Sequence, residues 1–162
     1  AVDRYASYKK DWGSFYQAGG VLIADRYTTS NGVHQCSKLP PEQWPSFLDW
    51  LFDYEFRLLG LPAPDSVIYL EVDPAVSQRL MDQRYHGDQS KKDLHEKDRE
   101  YLARSRQAAE FCAQRLGWQT VHCTQQGQMR SIQEIEAQVW ALAQQTLAQQ
   151  RTEKREGGRC TV

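Results

Sequence analysis

The chain has 162 residues, with 20 Lys and Arg against 21 Asp and Glu, a formal charge of −1 and an isoelectric point near 6.5. This length suffices for one domain with its own hydrophobic core. A near-neutral charge provides no positive field for nucleic acid, and no run of about 18 apolar residues could span a bilayer. With no charged-then-apolar leader at the start, we expect a cytoplasmic protein that binds neither nucleic acid nor membranes. The four cysteines lie singly, which favours reduced thiols over a disulfide framework.

Helical periodicity opens the chain. Apolar and aromatic residues recur at three- and four-residue spacings through residues 1–18, which predicts a half-buried helix ending at Gly19 and Gly20. The continuous apolar run 21–24 follows, and such a run is typical of a strand buried on both faces of a parallel sheet. Asp25 and Arg26 then fall at the carboxyl end of this predicted strand.

Helices and strands alternate through the rest of the chain. The patterns predict helices over 46–59, 75–84 and 93–115, and strands over 66–73 and 118–124. Ser131 and Glu134 form a capping box that opens a last helix to about residue 149, before a charged tail over 151–162 that we expect to be disordered. The alternation predicts an α/β fold, with a parallel sheet flanked by helices in one domain over 1–150.

Polar side chains cluster directly after the first predicted strand, at the edge of a parallel sheet where ligands bind. Arg26 has a fork of donors that suits phosphate, and the Asp25 carboxylate could hold a hydrated magnesium ion. Ser30 and Asn31 offer hydroxyl and amide groups for the edge of a base. A helix start at which Asp25 pairs with a cation would explain the same residues without a ligand.

A second group of cations lies between two predicted helices. Arg84, His86, Lys91 and Lys92 fall in the polar stretch 84–92, which has the composition of a lid that closes over phosphate. A solvated charged loop explains this composition equally well.

Three motifs occur in an order that resembles the thymidylate kinase family. They are A-V-D-R at 1–4, V-L-I-A-D-R-Y at 21–27 followed by S-N at 30–31 and H-Q at 34–35, and L-P-A-P-D-S-V-I-Y-L-E-V at 61–72. The resemblance extends to about residue 149. It implies a P-loop-kinase-like fold and transfer of the terminal phosphoryl group of ATP to dTMP, giving dTDP, with magnesium as cofactor. It also implies a homodimer, and the apolar helices 1–18 and 46–59 offer surface for one.

The resemblance also implies roles for residues on the acceptor side. Arg4 would hydrogen-bond thymine, and Ser30 with Asn31 would read the other edge of the base. His34 stands where the family commonly has an aromatic ring beneath the deoxyribose, so the choice between sugars stays open.

The phosphate side is assigned in the same way. Arg26 would clamp the acceptor phosphate, and Asp25 would act as the catalytic carboxylate that organises phosphate and magnesium. Arg84 falls at the place of the family's catalytic lid arginine, and Lys91 and Lys92 would add weaker lid contacts to phosphate.

The phosphate-binding loop itself is absent, since the sequence contains no G-x-x-x-x-G-K-[ST] motif. The chain also starts without methionine inside a predicted helix, so we expect that it corresponds to the family without its first strand, loop and second strand, and that it lacks kinase activity alone. In the family's sheet the loop strand lies between the strands at 21–24 and 67–72. These two should therefore run parallel at about 10 Å, without pairing.

Two other functions fit the same residues. A deoxynucleoside kinase shares an Asp-Arg pair after a strand and also closes a basic lid. A non-catalytic relative could instead act as an interaction module through the apolar helix 46–59.

Overall fold

A computed structural model of the chain describes residues 1–84 and 99–157. The chain divides into two compact units. The first contains Ala1–Ala63 and Glu100–Cys112, and the second contains Pro64–Arg99 and Ala113–Val162. The described parts form a mixed α/β protein with a small parallel sheet, which confirms the predicted fold class at that level.

The predicted N-terminal helix is confirmed in the first unit. It consists of α1 (Val2–Ser7), a π-helical turn at Tyr8–Trp12 and α2 (Gly13–Gln17). Gly19 ends it with φ 89°, a left-handed conformation that glycine adopts without steric cost.

The prediction of a buried strand over 21–24 is wrong. These residues form no strand, and Ile23 is 91% exposed. A strand buried on both faces requires hydrogen-bonded neighbours at its edges and packed layers on its faces, and the described residues supply neither. The expected pair of parallel strands with an empty slot between them is therefore not formed.

The first unit continues with α3 (Thr28–Cys36), a 3₁₀ turn at Pro41–Gln43, α4 (Trp44–Phe52) and a π-helical continuation at Asp53–Leu58. The last two confirm the predicted helix over 46–59, whereas α3 was not predicted. Helices α3 and α4 approach closely at Gly32, where an added Cβ would lie 2.9 Å from a methyl group of Leu48. Cys36 and Cys112 are fully buried free thiols, and burial raises the pKa of Cys112 to about 12.

The second unit contains the sheet. Strands β1 (Ile68–Glu71) and β2 (Gln119–His122) pair in parallel, with Ile68 opposite Gln119. The helices α5 (Pro74–Arg84) and α6 (Arg99–Leu116) precede β2, and residues 100–112 of α6 belong to the first unit. A short antiparallel hairpin of β3 (Thr124–Gln125) and β4 (Gln128–Met129), which the sequence analysis did not predict, follows β2.

Helix α7 (Ile132–Gly157) closes the described chain. Its capping box is confirmed, because the Ser131 hydroxyl accepts from the Glu134 amide at 3.2 Å while the Glu134 carboxylate accepts from the Ser131 amide at 2.9 Å. The helix continues well beyond residue 149, so the part of the predicted disordered tail up to Gly157 is helical. None of the helices within the described ranges combines the length and apolar character needed to cross a membrane.

Candidate functional site

The structure brings three of the predicted site residues together around the start of α3. The Arg26 guanidinium donates to Ser30 Oγ at 3.4 Å and to Nε2 of His34. Arg26 also has φ 71°, a left-handed conformation that costs a non-glycine residue of order 1 kcal/mol. Backbone strain of this kind is frequent at functional sites, which makes Arg26 a candidate site residue.

His34 links Arg26 to a second helix of the same unit. Because Arg26 has only donors, Nε2 of His34 accepts from it. The other ring nitrogen, Nδ1, forms a hydrogen bond with the hydroxyl of Tyr101 on α6 at 3.0 Å. His34 is thus held on both ring nitrogens, and it orients Arg26.

Arg4 lies at the same end of α3. Its guanidinium carbon is 5.3 Å from the ring centroid of Tyr27, the residue directly after Arg26, and it donates a hydrogen bond to Glu55. The Tyr27 hydroxyl in turn donates to the carbonyl of Pro62 at 3.0 Å. Of the two arginines that the resemblance assigns to base and phosphate, Arg4 therefore contacts Tyr27 and Arg26 directly precedes it in the chain.

Sequence reasoning missed Glu55. Its side chain is fully buried, and the carboxylate accepts from Arg4 and, at 2.8 Å, from the Thr28 hydroxyl. The sequence does contain a pattern that places Glu55 on a buried helix face. The spacings between the buried residues alternate between four and three, at Trp44, Leu48, Leu51 and Glu55. A carboxylate on such a face requires a cation partner.

Asp25 and Asn31 make no polar contact within the described ranges. Asp25 is exposed and Asn31 is half-buried on α3, so both side chains are available to a ligand. A single exposed carboxylate suits magnesium that keeps most of its water, whereas a protein cage needs several ligands. Within residues 1–84 and 99–157, no three Asp, Glu, His or Cys side chains gather into such a cage.

Of the predicted lid residues, Arg84 is within the described part of the chain. Arg84 is the last residue of α5 and belongs to the second unit. Lys91 and Lys92 lie outside the described residues.

Tyr27 provides a test of this geometry through pH. Burial raises its pKa from 10.0 to about 12, because the phenolate would be poorly hydrated there. As pH rises through 10, the unfolded chain loses this proton while the folded chain keeps it, so the free energy of unfolding falls. Urea unfolding on either side of pH 10 should show a steeper loss of stability for the parent than for Tyr27→Phe. Parallel losses would mean that Tyr27 is not buried in this way.

Comparisons with known proteins support the resemblance over part of the chain. Thymidylate kinases of Mycobacterium tuberculosis, from strains CDC 1551 / Oshkosh and ATCC 25618 / H37Rv, are each 34% identical to it over 104 residues. The match covers 60% of this chain and 46% of each relative, so the chain spans about half the length of the curated relatives it matches. No family model matches the chain, and no solved structure does.

Proposed function

We propose that this chain provides the dTMP-binding side of a thymidylate kinase, which transfers the terminal phosphoryl group of ATP to dTMP and gives dTDP. The observation that carries the proposal is that Arg4 lies over the ring of Tyr27, whose chain neighbour Arg26 hydrogen-bonds Ser30 at the start of α3. The similarity to proteins named thymidylate kinase supports it.

Arg26 would hold the acceptor phosphate. Its bonds to Ser30 and His34 fix the guanidinium before the ligand arrives, which reduces the entropy lost on binding. The amino end of α3 lies two residues away and favours a negative charge. Asp25 would hold hydrated magnesium, which when bound neutralises charge on the phosphates. Phosphoryl transfer depends on such positioning and charge neutralisation more than on a protein nucleophile.

The base and sugar would lie between Arg4 and α3. Arg4 has donors for a thymine carbonyl, and the unpaired Asn31 amide can donate and accept on a base edge. His34, fixed between Arg26 and Tyr101, would form the wall beneath the deoxyribose.

Donor-side roles complete the proposal. The 162 residues hold no phosphate-loop motif, so we propose that they do not cradle the ATP phosphates unaided. Arg84, Lys91 and Lys92 would act as lid cations, and a homodimer and a cytoplasmic location remain predictions. The exposure of Trp50 and Leu58, at 57% and 60%, supports an interface on the 46–59 helix.

Calorimetric titration of the chain tests acceptor binding directly. We expect dTMP to bind and thymidine to bind more weakly, because only dTMP carries the phosphate that Arg26 holds. Tighter binding of thymidine would favour the deoxynucleoside kinase instead. No binding of either would favour the interaction module.

Asn31→Ala is expected to weaken dTMP binding by about 1 kcal/mol, roughly a fivefold rise in Kd, through loss of a base-edge hydrogen bond. The preference for dTMP over dCMP should fall with it, because dCMP presents a different edge. Gln43→Ala removes an exposed amide elsewhere in the same unit and serves as the matched control. An unchanged preference in Asn31→Ala would contradict the role of this side chain.

A further inference from the structure

We propose that Glu55 is a positioning residue, which holds Arg4 in the orientation that reads the base. The inference rests on the proposed function. Glu55 does not touch the ligand in this scheme, because its side chain has no exposed surface. It acts through the guanidinium of Arg4.

A single carboxylate oxygen connects the elements around the site. Oε2 of Glu55 accepts from Arg4 on α1 and from Thr28, the first residue of α3. Glu55 itself sits in the π-helical segment Asp53–Leu58, and π-helical turns inside helices are frequent at functional sites. The carboxylate therefore fixes Arg4 relative to the start of the helix that carries Ser30 and Asn31.

Holding Arg4 restricts a side chain that otherwise has many rotamers. One N–H group is bound to Glu55 and the guanidinium lies near the Tyr27 ring, while 19% of the Arg4 side chain stays exposed. The guanidinium has five N–H groups in a rigid fork, so donors remain for a ligand. Fixing the fork in advance lowers the entropic cost of binding a planar base.

The second carboxylate oxygen of Glu55 indicates that this residue serves binding more than it serves the stability of the fold. Oε1 of Glu55 is buried and has no hydrogen-bond partner among the described residues. Such an atom is unfavourable, and an apolar side chain at this position would avoid it. The ion pair of Asp53 and Arg57 on the same segment shows the contrast, because both of its side chains are about half or more exposed.

Binding of two ligands separates a positioning role from a structural one. dTMP engages both arginines, whereas 2-deoxyribose 5-phosphate lacks the base and engages only the Arg26 side. We expect Glu55→Gln to raise the Kd for dTMP by about tenfold while changing that for 2-deoxyribose 5-phosphate by less than about twofold. Asp53→Asn, an acid-to-amide change two residues away, should alter neither value. Equal weakening of both ligands by Glu55→Gln, or no weakening of dTMP, would overturn the inference.

A ligand-free readout keeps this inference distinguishable from the proposed function. Nitrogen relaxation at Nε of Arg4 should show a rigid side chain in the parent and in Asp53→Asn, and a mobile one in Glu55→Gln. If the parent holds Arg4 rigidly through Glu55 but does not bind dTMP, the proposed function fails and the base-reading role fails with it. If dTMP binds and Arg4 is equally rigid without the Glu55 charge, only the positioning role fails. Should thermal unfolding show that Glu55→Gln does not fold, Glu55→Asp takes its place, and the same base-specific loss is expected.

Discussion

Arg26→Ala is expected to weaken dTMP binding by about 3 kcal/mol, a roughly 150-fold rise in Kd. The variant removes the paired N–H donors proposed for the phosphate and leaves the phosphate charge uncompensated in the bound state. Calorimetry with dTMP and with 2-deoxyribose 5-phosphate should show the same loss for both ligands, because both carry the phosphate. A rise below about tenfold would mean that Arg26 serves the fold and not the ligand.

Arg26→Gly is the informative companion to this variant. Glycine adopts φ near 71° without strain, so Arg26→Gly should be more stable than Arg26→Ala by about 1 kcal/mol in urea unfolding. Both variants should bind dTMP and 2-deoxyribose 5-phosphate equally poorly, because both lack the side chain that holds the phosphate. Arg57→Ala removes an exposed arginine of the same unit and should leave dTMP binding unchanged. Binding that recovers in the glycine variant would show that backbone conformation, not the side chain, is what matters.

Local sequence signals predicted local structure well. The helical spacing over 1–18, the capping box at Ser131 and the helix over 46–59 are all present. Each depends on interactions between residues a few positions apart, which a sequence displays directly.

One strand was predicted but does not form, and one hairpin was missed, because their causes lie elsewhere in the chain or are chemically unusual. The apolar run 21–24 matches a buried strand, but a strand forms only where another strand offers hydrogen bonds. The hairpin after β2 turns at Gln126 and Gly127, both with positive φ, as a two-residue turn requires. Glutamine is not among the residues that usually mark such a turn, so no local pattern predicted the hairpin.

In the candidate site, too, contacts between residues close in sequence differ from contacts between distant residues. Arg26, Ser30 and His34 lie four residues apart along the chain, and they meet at the start of α3. The partners Glu55 and Tyr101 lie far along the chain. Their pairing depends on tertiary packing, which no local pattern reports.

The buried ion pair gives the largest expected effect on stability. Arg4→Met removes the cation and leaves the Glu55 carboxylate fully buried, with the Thr28 hydroxyl as its one partner among the described residues. We expect a loss of about 3–5 kcal/mol in the free energy of unfolding, because an uncompensated charge remains away from water. Whole domains are stable by only about 5–15 kcal/mol, so the variant should unfold at much lower urea concentration than the parent.

Two controls decide whether the charge is responsible. Arg57→Met breaks the exposed pair with Asp53 and should leave the free energy of unfolding nearly unchanged, because water and salt screen such a pair. The double variant Arg4→Met with Glu55→Met removes both charges, and apolar side chains in place of a buried pair are often neutral or stabilising, so it should recover most of the stability. A double variant that folds well yet no longer binds dTMP would show that the pair serves recognition and not the fold. A single Arg4→Met variant no less stable than Arg57→Met would instead mean that Glu55 is not charged and paired as the structure has it.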